Sequence, residues 1–221
     1  MKSLLLTIVM FAVSLYVIPA TTNAELIGVL PAAPGGNDYQ AYYDTVADLT
    51  WLKNATASGR MTWSNANAWV ASLNINGVTG WRLPNTPQLD TSCSDQGIGV
   101  RAYGYNCTGS ELGNLYYNVF GGVAGTSITT THNSNYDLFS FVGSFPLYWS
   151  ATEDASNPIR SWSFDLNNGW QTSAFKTSSK LAWAVYTGNA GAAYVPLPTG
   201  LWLFASGLLG LIGISRRKKS V

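Results

Sequence analysis

The stretch WSFDLNNGWQTSAFKTSSKLAWAV, residues 162–185, decides the fold class. Asn168-Gly169 at its centre favours the tight turn of a β-hairpin. Two sets of apolar residues flank that turn and alternate with polar ones: Trp162, Phe164 and Leu166, and then Leu181, Trp183 and Val185. This period of two is typical of strands with one apolar face. With LYWSATE at 147–153, the segment predicts an antiparallel sheet that closes the domain.

Further towards the N-terminus, the periodicity changes from two to that of a helix. The segment 61–77 has apolar residues at helical spacing: Trp63, Ala66, Trp69, Val70 and Leu73. Thr62 or Ser64 can cap this helix, and Gly77 can end it. The tryptophans of this helix are predicted to pack in the core.

Two shorter elements complete the regular pattern. Asn85, as an N-cap ahead of Pro87, predicts a second short helix that carries Leu89. A strand is predicted from four apolar residues: Val46, Leu49, Trp51 and Leu52. Two short helices with an antiparallel sheet make an α+β domain.

Arg82 is unexpected between Trp81 and Leu83, two residues predicted to be buried. It either contacts a ligand or forms a structural fork to a carboxylate or to carbonyl groups. Arginine suits partly buried pairs, which favours the structural role.

Residues 94–146 carry little regular pattern beyond a possible short helix at 110–120. Loop regions of this length in compact domains are usually functional. Candidate ligand contacts there are the side-chain types that bind sugars or peptides: Tyr103, Tyr105, Tyr116, Asn133 and Asn135. The alternative is an insertion that packs on itself.

Cys93 and Cys107 are the two cysteines of the chain. In an exported protein a disulfide is the expected state, and the loop it closes predicts a stabilisation of about 3 kcal/mol. Four oxygen-bearing side chains close in sequence could bind calcium: Glu153, Asp154, Asn157 and Asp165. The alternative is a solvated acidic turn with no cofactor.

Catalysis is not predicted. His132 is the single histidine, and it lies in a Gly/Thr/Asn-rich loop without a nucleophile motif.

The two ends of the chain indicate export. Residues 1–24 have one lysine, an apolar stretch and small residues before Ala24, which is the layout of a secretory signal removed by signal peptidase. Residues 25–40 are predicted to be a flexible lead-in. Residues 201–215 form a short apolar membrane segment; as a helix its uninterrupted part covers only about 20 Å of a hydrocarbon layer of about 30 Å.

Export changes the charge balance. The chain has 12 basic and 11 acidic residues; without Lys2 and the four basic residues of the tail at 216–221, seven basic residues remain and the net charge of the body is about −4. Nucleic acid and other polyanions are therefore not expected partners.

The motifs together resemble a known family. YDTVADLTWL, MTWSNANAWVASLN, GWRLPN, YWSATE and the closing segment occur in the order and spacing of the Lcl C-terminal domain family. The resemblance implies a C-type-lectin-like fold over 41–188, with a long irregular loop region, and no agreed activity. The lectin-like folds include formylglycine-generating enzymes, which need a reactive cysteine pair. The E-P-N and W-N-D triplets of calcium-dependent lectins are absent from the sequence.

The C-terminus resembles the VPLP variant of the PEP-CTERM sorting signal, within a linker at 189–200. The residues that carry this resemblance are the motif Val195, Pro196, Leu197 and Pro198, and the basic stop Arg216, Arg217, Lys218 and Lys219. It implies an exosortase partner and a transient stay in the inner membrane of a Gram-negative bacterium, followed by release to the cell surface or outside. The sequence thus predicts a sorted surface or matrix protein that binds a neutral saccharide or polysaccharide, or a purely structural envelope protein without a ligand.

Overall fold

The computed structural model describes residues 24–96, 102–141 and 146–194. Within these ranges the domain has two sheets and a few short helices, so it is a mixed α+β fold that is mostly β. None of the helices in the described ranges has the length and apolar character needed to cross a membrane. The predicted signal before Ala24, the VPLP motif, the apolar segment and the basic tail lie outside the described residues.

The elements follow one another along the chain. The strands are β1 (Leu26–Pro31), β2 (Tyr39–Asp44), β3 (Leu49–Leu52), β4 (Arg60–Met61), β5 (Leu147–Glu153), β6 (Arg160–Asp165), β7 (Trp170–Phe175), β8 (Lys180–Leu181) and β9 (Val185–Thr187). The helices are α1 (Trp63–Ser72), α2 (Glu111–Asn114) with a π-helical turn over Leu115–Val119, α3 (Ile128–Thr131), a 3₁₀ turn over Tyr136–Leu138, and α4 (Ala190–Ala193).

Sheet one has the antiparallel order β1-β2-β3-β9, so the first and last strands of the domain share a sheet. The prediction of a flexible lead-in over 25–40 is wrong for β1 and for the start of β2. Val29 and Leu30 are buried, and Gly28 lies under the ring of Tyr39, where an added Cβ would clash at 2.1 Å. A short strand with glycine inside and proline at its end reads as a loop in the sequence.

Sheet two has the order β4-β8-β5-β6-β7, and the predicted hairpin at Asn168-Gly169 joins β6 to β7. The closing strand, however, is two strands. Leu181 in β8 pairs with Tyr148 of sheet two, whereas Val185 in β9 pairs with Trp51 of sheet one. The three residues between β8 and β9 are fully buried, so the chain passes through the core from one sheet to the other.

Helix α1 begins and ends inside its predicted range, and Ala66 and Val70 are its buried residues. Thr62 occupies the N-cap position in an extended conformation, but its side chain makes no capping hydrogen bond. The short helix predicted at 110–120 is also present, as α2 and the π-helical turn that follows it.

The second helix predicted at Asn85 is wrong. The backbone N–H of Asn85 donates to Glu111 Oε2 at 2.7 Å, and that of Thr86 donates to Thr152 Oγ1 at 3.0 Å. The segment forms no helix, and these N–H groups instead join it to two distant parts of the chain. Leu89 is 67% exposed and has a positive φ of 69°.

The main core surrounds Trp183, which is fully buried. Its indole Nε1 donates to Leu52 O at 2.7 Å. Five aromatic rings contact it: Trp51, Phe120, Phe139, Phe141 and Tyr148. A smaller second cluster holds Cys93, Ala102, Cys107 and Trp162, with Tyr103 packed against them. This cluster attaches the long loop region to sheet two.

Candidate functional site

An open groove of about 510 Å³ lies where α1 meets sheet one. Trp69 of α1 lines one part of it, with Leu73 and Ile75 just beyond the helix. Tyr39 of β2 adds a second aromatic ring. Both aromatic side chains are half-buried, so each holds its position and still presents part of its surface to solvent.

The polar part of the groove includes two amides and an ion pair. Lys53 Nζ lies 2.8 Å from Asp38 Oδ1, and this hydrogen bond raises the pKa of the lysine. Gln40 Nε2 donates to Asn76 Oδ1 at 3.0 Å, so the side-chain carbonyl oxygen of Gln40 points away from Asn76. Asn54 Oδ1 accepts from the backbone N–H of the residue two positions on at 3.0 Å, which leaves its Nδ2 as the donor. Donors and acceptors are thus fixed beside the aromatic rings.

This arrangement suits binding more than catalysis. Asp38 is the one carboxylate among the residues that line the groove, and it is paired with Lys53. The described lining includes neither histidine nor cysteine, and Ser140 has no base beside it in that lining. A nucleophile activated by a base, which most hydrolytic sites need, is therefore not formed by these residues.

Three of the five candidate residues in the long loop region have structural roles. Tyr116 is fully buried, its hydroxyl donates to two backbone carbonyls, and burial raises its pKa. Asn133 and Asn135 each donate from Nδ2 to Val119 O, at 2.9 and 3.1 Å. These hydrogen bonds give the three side chains a structural role, because an irregular chain has carbonyl groups that its own side chains must satisfy. Their assignment to a ligand site stays a prediction.

The two remaining tyrosines differ from each other. Tyr103 packs on Trp162 with ring centroids 4.6 Å apart, and its hydroxyl lies 3.1 Å from Asp154 Oδ2. It holds the loop to sheet two, and burial raises its pKa. Tyr105 packs against Trp170, which is 37% exposed. Of the five candidates, Tyr105 is the one that lies beside an exposed aromatic surface.

The structure does not bring the predicted calcium ligands together. Asp165 pairs with Leu147 at the start of β5, whereas Asp154 follows the other end of that strand, on the order of 20 Å away. Glu153 pairs with Lys176 at 2.6 Å, and Asn157 lies in the turn after Asp154. Sequence proximity misled here, because the four residues flank a long hairpin.

The two aspartates also differ electrostatically. Burial alone would raise the pKa of Asp154, but hydrogen bonds led by those from Ser156 and Ser173 hold it below its ordinary value. Burial raises the pKa of Asp165. In the described ranges, the one cluster with metal-ligand atoms is Asp90 with Cys93 and Cys107, and the disulfide excludes both sulfur atoms as ligands.

Two structural predictions are confirmed. Cys93 and Cys107 form a disulfide. Arg82 is a structural fork: Nη1 and Nη2 contact the two carboxylate oxygens of Glu111 at 2.7 and 2.8 Å, and Nε contacts Thr187 Oγ1 at 3.1 Å. The guanidinium therefore joins α2 to β9.

Comparison with known protein families matches residues 40–186 to the Lcl C-terminal domain. The chain belongs to this family. The Lcl C-terminal domain has no established function, and comparison with curated proteins found no match. The match begins in β2 and ends in β9, so it covers all of sheet two of the Lcl domain and, in sheet one, every strand but β1.

The groove of this Lcl domain was not predicted from the sequence. Tyr39 and Gln40 fall in the segment read as a lead-in, and Trp69 has the spacing of a core residue. The one available signal was an aromatic residue next to an amide residue at the start of β2. The sequence gives no means of bringing residues 38–40, 53–54, 69 and 140 together.

Proposed function

We propose that this protein is an exported, non-catalytic module that binds a neutral saccharide in the groove beside α1. The observation that carries the proposal is the combination of half-buried aromatic rings, oriented amides and a neutralised ion pair in one open groove. Sugar rings present C–H faces that pack on aromatic side chains, and hydroxyls that pair with amides and carboxylates. Its volume of about 510 Å³ is ordinary for a small-ligand site.

Charge supports a neutral ligand. The body has a net charge of about −4, from seven basic and 11 acidic residues, and within the groove Lys53 neutralises Asp38. Sulfated glycans and nucleic acid are repelled by such a field, most strongly at low salt.

Titration of the purified protein with neutral oligosaccharides and with heparin tests this function. We expect saturable neutral-saccharide binding that Trp69→Ala and Tyr39→Ala each weaken about tenfold or more, the effect of losing one stacking contact. Tyr43→Ala is the matched control, since Tyr43 also lies on β2 and its hydroxyl contacts Asp48 outside the groove lining. Tight, salt-sensitive heparin binding would contradict the charge argument, and binding of no saccharide would favour a purely structural envelope protein.

The proposal includes the route to the surface. The signal-like residues 1–24, the VPLP motif at 195–198 and the basic stop at 216–219 support export, a temporary inner-membrane anchor and cleavage by an exosortase. The C-type-lectin-like relationship implied by the resemblance belongs to the same proposal. Intact-mass measurement of the protein from its native host should show that residues 201–221 are missing; a full-length C-terminus there would refute the sorting step.

A further inference from the structure

The turn of the β6–β7 hairpin carries an exposed aromatic residue. Trp170 is 37% exposed, whereas the other tryptophans of the described ranges are buried or half-buried. Its ring lies against that of Tyr105, with centroids 4.7 Å apart and planes at 76°. An edge-to-face pair of this kind forms a corner of two aromatic surfaces.

Hydrogen bonds fix the corner before any ligand arrives. Gly104 and Gln171 exchange backbone hydrogen bonds of 2.9 and 2.8 Å, which places the Tyr105 segment along the edge of β7. On its other side, the backbone N–H of Ser94 donates to Tyr105 O at 2.8 Å. The disulfide between Cys93 and Cys107 closes the loop that contains Tyr105. A rigid aromatic site loses little conformational entropy on binding.

A hydrogen-bond acceptor lies on the same face. Asp165 is directly opposite Trp170 in the β6–β7 ladder, and opposite residues of an antiparallel pair project to the same side. Its Oδ1 accepts from the backbone N–H of Asn167 at 2.9 Å. This hydrogen bond occupies Oδ1, and the side chain as a whole is half-buried. The carboxylate keeps a second oxygen, Oδ2, as an acceptor for a hydroxyl group of a ligand.

We propose that Tyr105 and Trp170, with Asp165, form a second saccharide-binding site. The aromatic corner would take the C–H face of a pyranose ring, and the carboxylate would accept from a hydroxyl. The carboxylate repels anionic glycans, so the ligand is a neutral chain. This site shares no residue with the groove beside α1. If the proposed function of the groove also holds, one molecule has two sites and can bridge two polysaccharide chains.

Nuclear magnetic resonance of the full chain in detergent micelles, ¹⁵N-labelled at tryptophan, reads the two sites separately. Trp170→Phe and Trp69→Phe assign the two indole signals. The probes are three neutral hexasaccharides: β-1,4-glucan, β-1,3-glucan and α-1,4-glucan. We expect at least one of them to shift the Trp170 signal, and Tyr105→Ala to weaken that shift about tenfold.

Each outcome decides between the sites. A Trp170 shift that survives Trp69→Ala supports the second site even if the groove binds nothing. A shift of Trp69 alone overturns the second site and leaves the groove, and no shift of either signal overturns both. Tyr105→Phe keeps the aromatic ring and should keep the Trp170 shift. A shift that is retained in Tyr105→Phe and lost in Tyr105→Ala shows that the loss comes from the missing ring and not from misfolding.

Bridging has its own test. Beads coated with the saccharide that shifts the Trp170 signal should aggregate when the unaltered protein is added. Trp170→Ala and Trp69→Ala should each abolish this aggregation, although each variant should still bind to the beads through its remaining site. Aggregation that persists in either variant overturns the two-site model. Reduction of the disulfide should weaken the Trp170 shift and leave the Trp69 shift in place, because the disulfide closes the loop of Tyr105 and not the groove; equal loss at both sites would contradict this positioning role.

Discussion

Replacement of Arg82 by lysine tests whether this residue is a structural fork. Arg82 contacts both carboxylate oxygens of Glu111, at 2.7 and 2.8 Å, and also Thr187 and Leu83 O at 3.1 Å. Lysine keeps the charge and most of the aliphatic stem but has one nitrogen. It can retain one contact with Glu111, and it loses the planar fork that joins α2 to β9.

The magnitude follows from the contacts that are lost. About three hydrogen bonds disappear, each with a net contribution of about 0.5–1.5 kcal/mol. The side chains of Arg82 and Glu111 are 29% and 20% exposed, so water can replace part of the loss. We therefore expect Arg82→Lys to lower the free energy of unfolding by about 2 kcal/mol, which is about 4–8 °C in melting temperature for a domain of this size.

Urea unfolding followed by far-UV circular dichroism measures this change, in a cycle with Glu111→Gln and the double variant. The cycle should show a coupling energy of about 1–2 kcal/mol between the two residues. Saccharide binding should be unchanged in Arg82→Lys once the protein is folded. Unchanged stability together with lost saccharide binding would refute the structural role and make Arg82 a ligand contact.

Four further predictions concern stability. Trp183→Ala should cost about 4 kcal/mol in urea unfolding, because it removes a buried ring; Trp170→Ala, as the exposed control, should cost less than about 1 kcal/mol, and equal effects would contradict the core assignment. Cys107→Ser should lower the free energy of unfolding by about 3 kcal/mol, and non-reducing peptide mapping of the unaltered protein should show the linked pair. Hydrogen bonds hold the pKa of Asp154 low, so its stabilising effect is present at neutral pH and is lost as pH falls through that pKa. Asp154→Asn should therefore be less stable than the unaltered protein at pH 7, with a difference that shrinks in acid. Asp165→Asn should instead be more stable than the unaltered protein at pH 7, because a raised pKa means that the charged form of Asp165 opposes folding. Melting curves from pH 7 to about pH 3 check both aspartate variants.

The parts of the fold that could be predicted are those set by local pattern. The hairpin at Asn168-Gly169 follows from a turn dipeptide between alternating segments, and α1 follows from apolar spacing. The helix expected at Asn85 does not form, although the local pattern favours it. Glu111, 26 residues away, accepts from the backbone N–H of Asn85, and no local rule anticipates that contact.

The candidate sites were harder to predict because ligand-type side chains are also the ones that satisfy buried backbone groups. Tyr116 and Asn133 have the chemistry of sugar contacts, yet both donate to carbonyls of their own loop. Tyr105 differs from them only in its neighbour, Trp170. Exposure of that pair depends on how the loop attaches to β7, which is a property of tertiary structure.

The placement of β9 in sheet one determines when the domain can complete its folding. The hydroxyl of Thr50, in β3, donates to a carbonyl 138 residues further along the chain, at Gly188. A chain synthesised from its N-terminus therefore contains β1, β2 and β3 long before their last partner strand. Closing so long a loop is slow, and domains rich in such distant pairings fold in milliseconds to seconds. Until β9 is available, the edge of β3 remains open to pairing with another chain, so this domain is most prone to aggregate in the interval before its last strand is made.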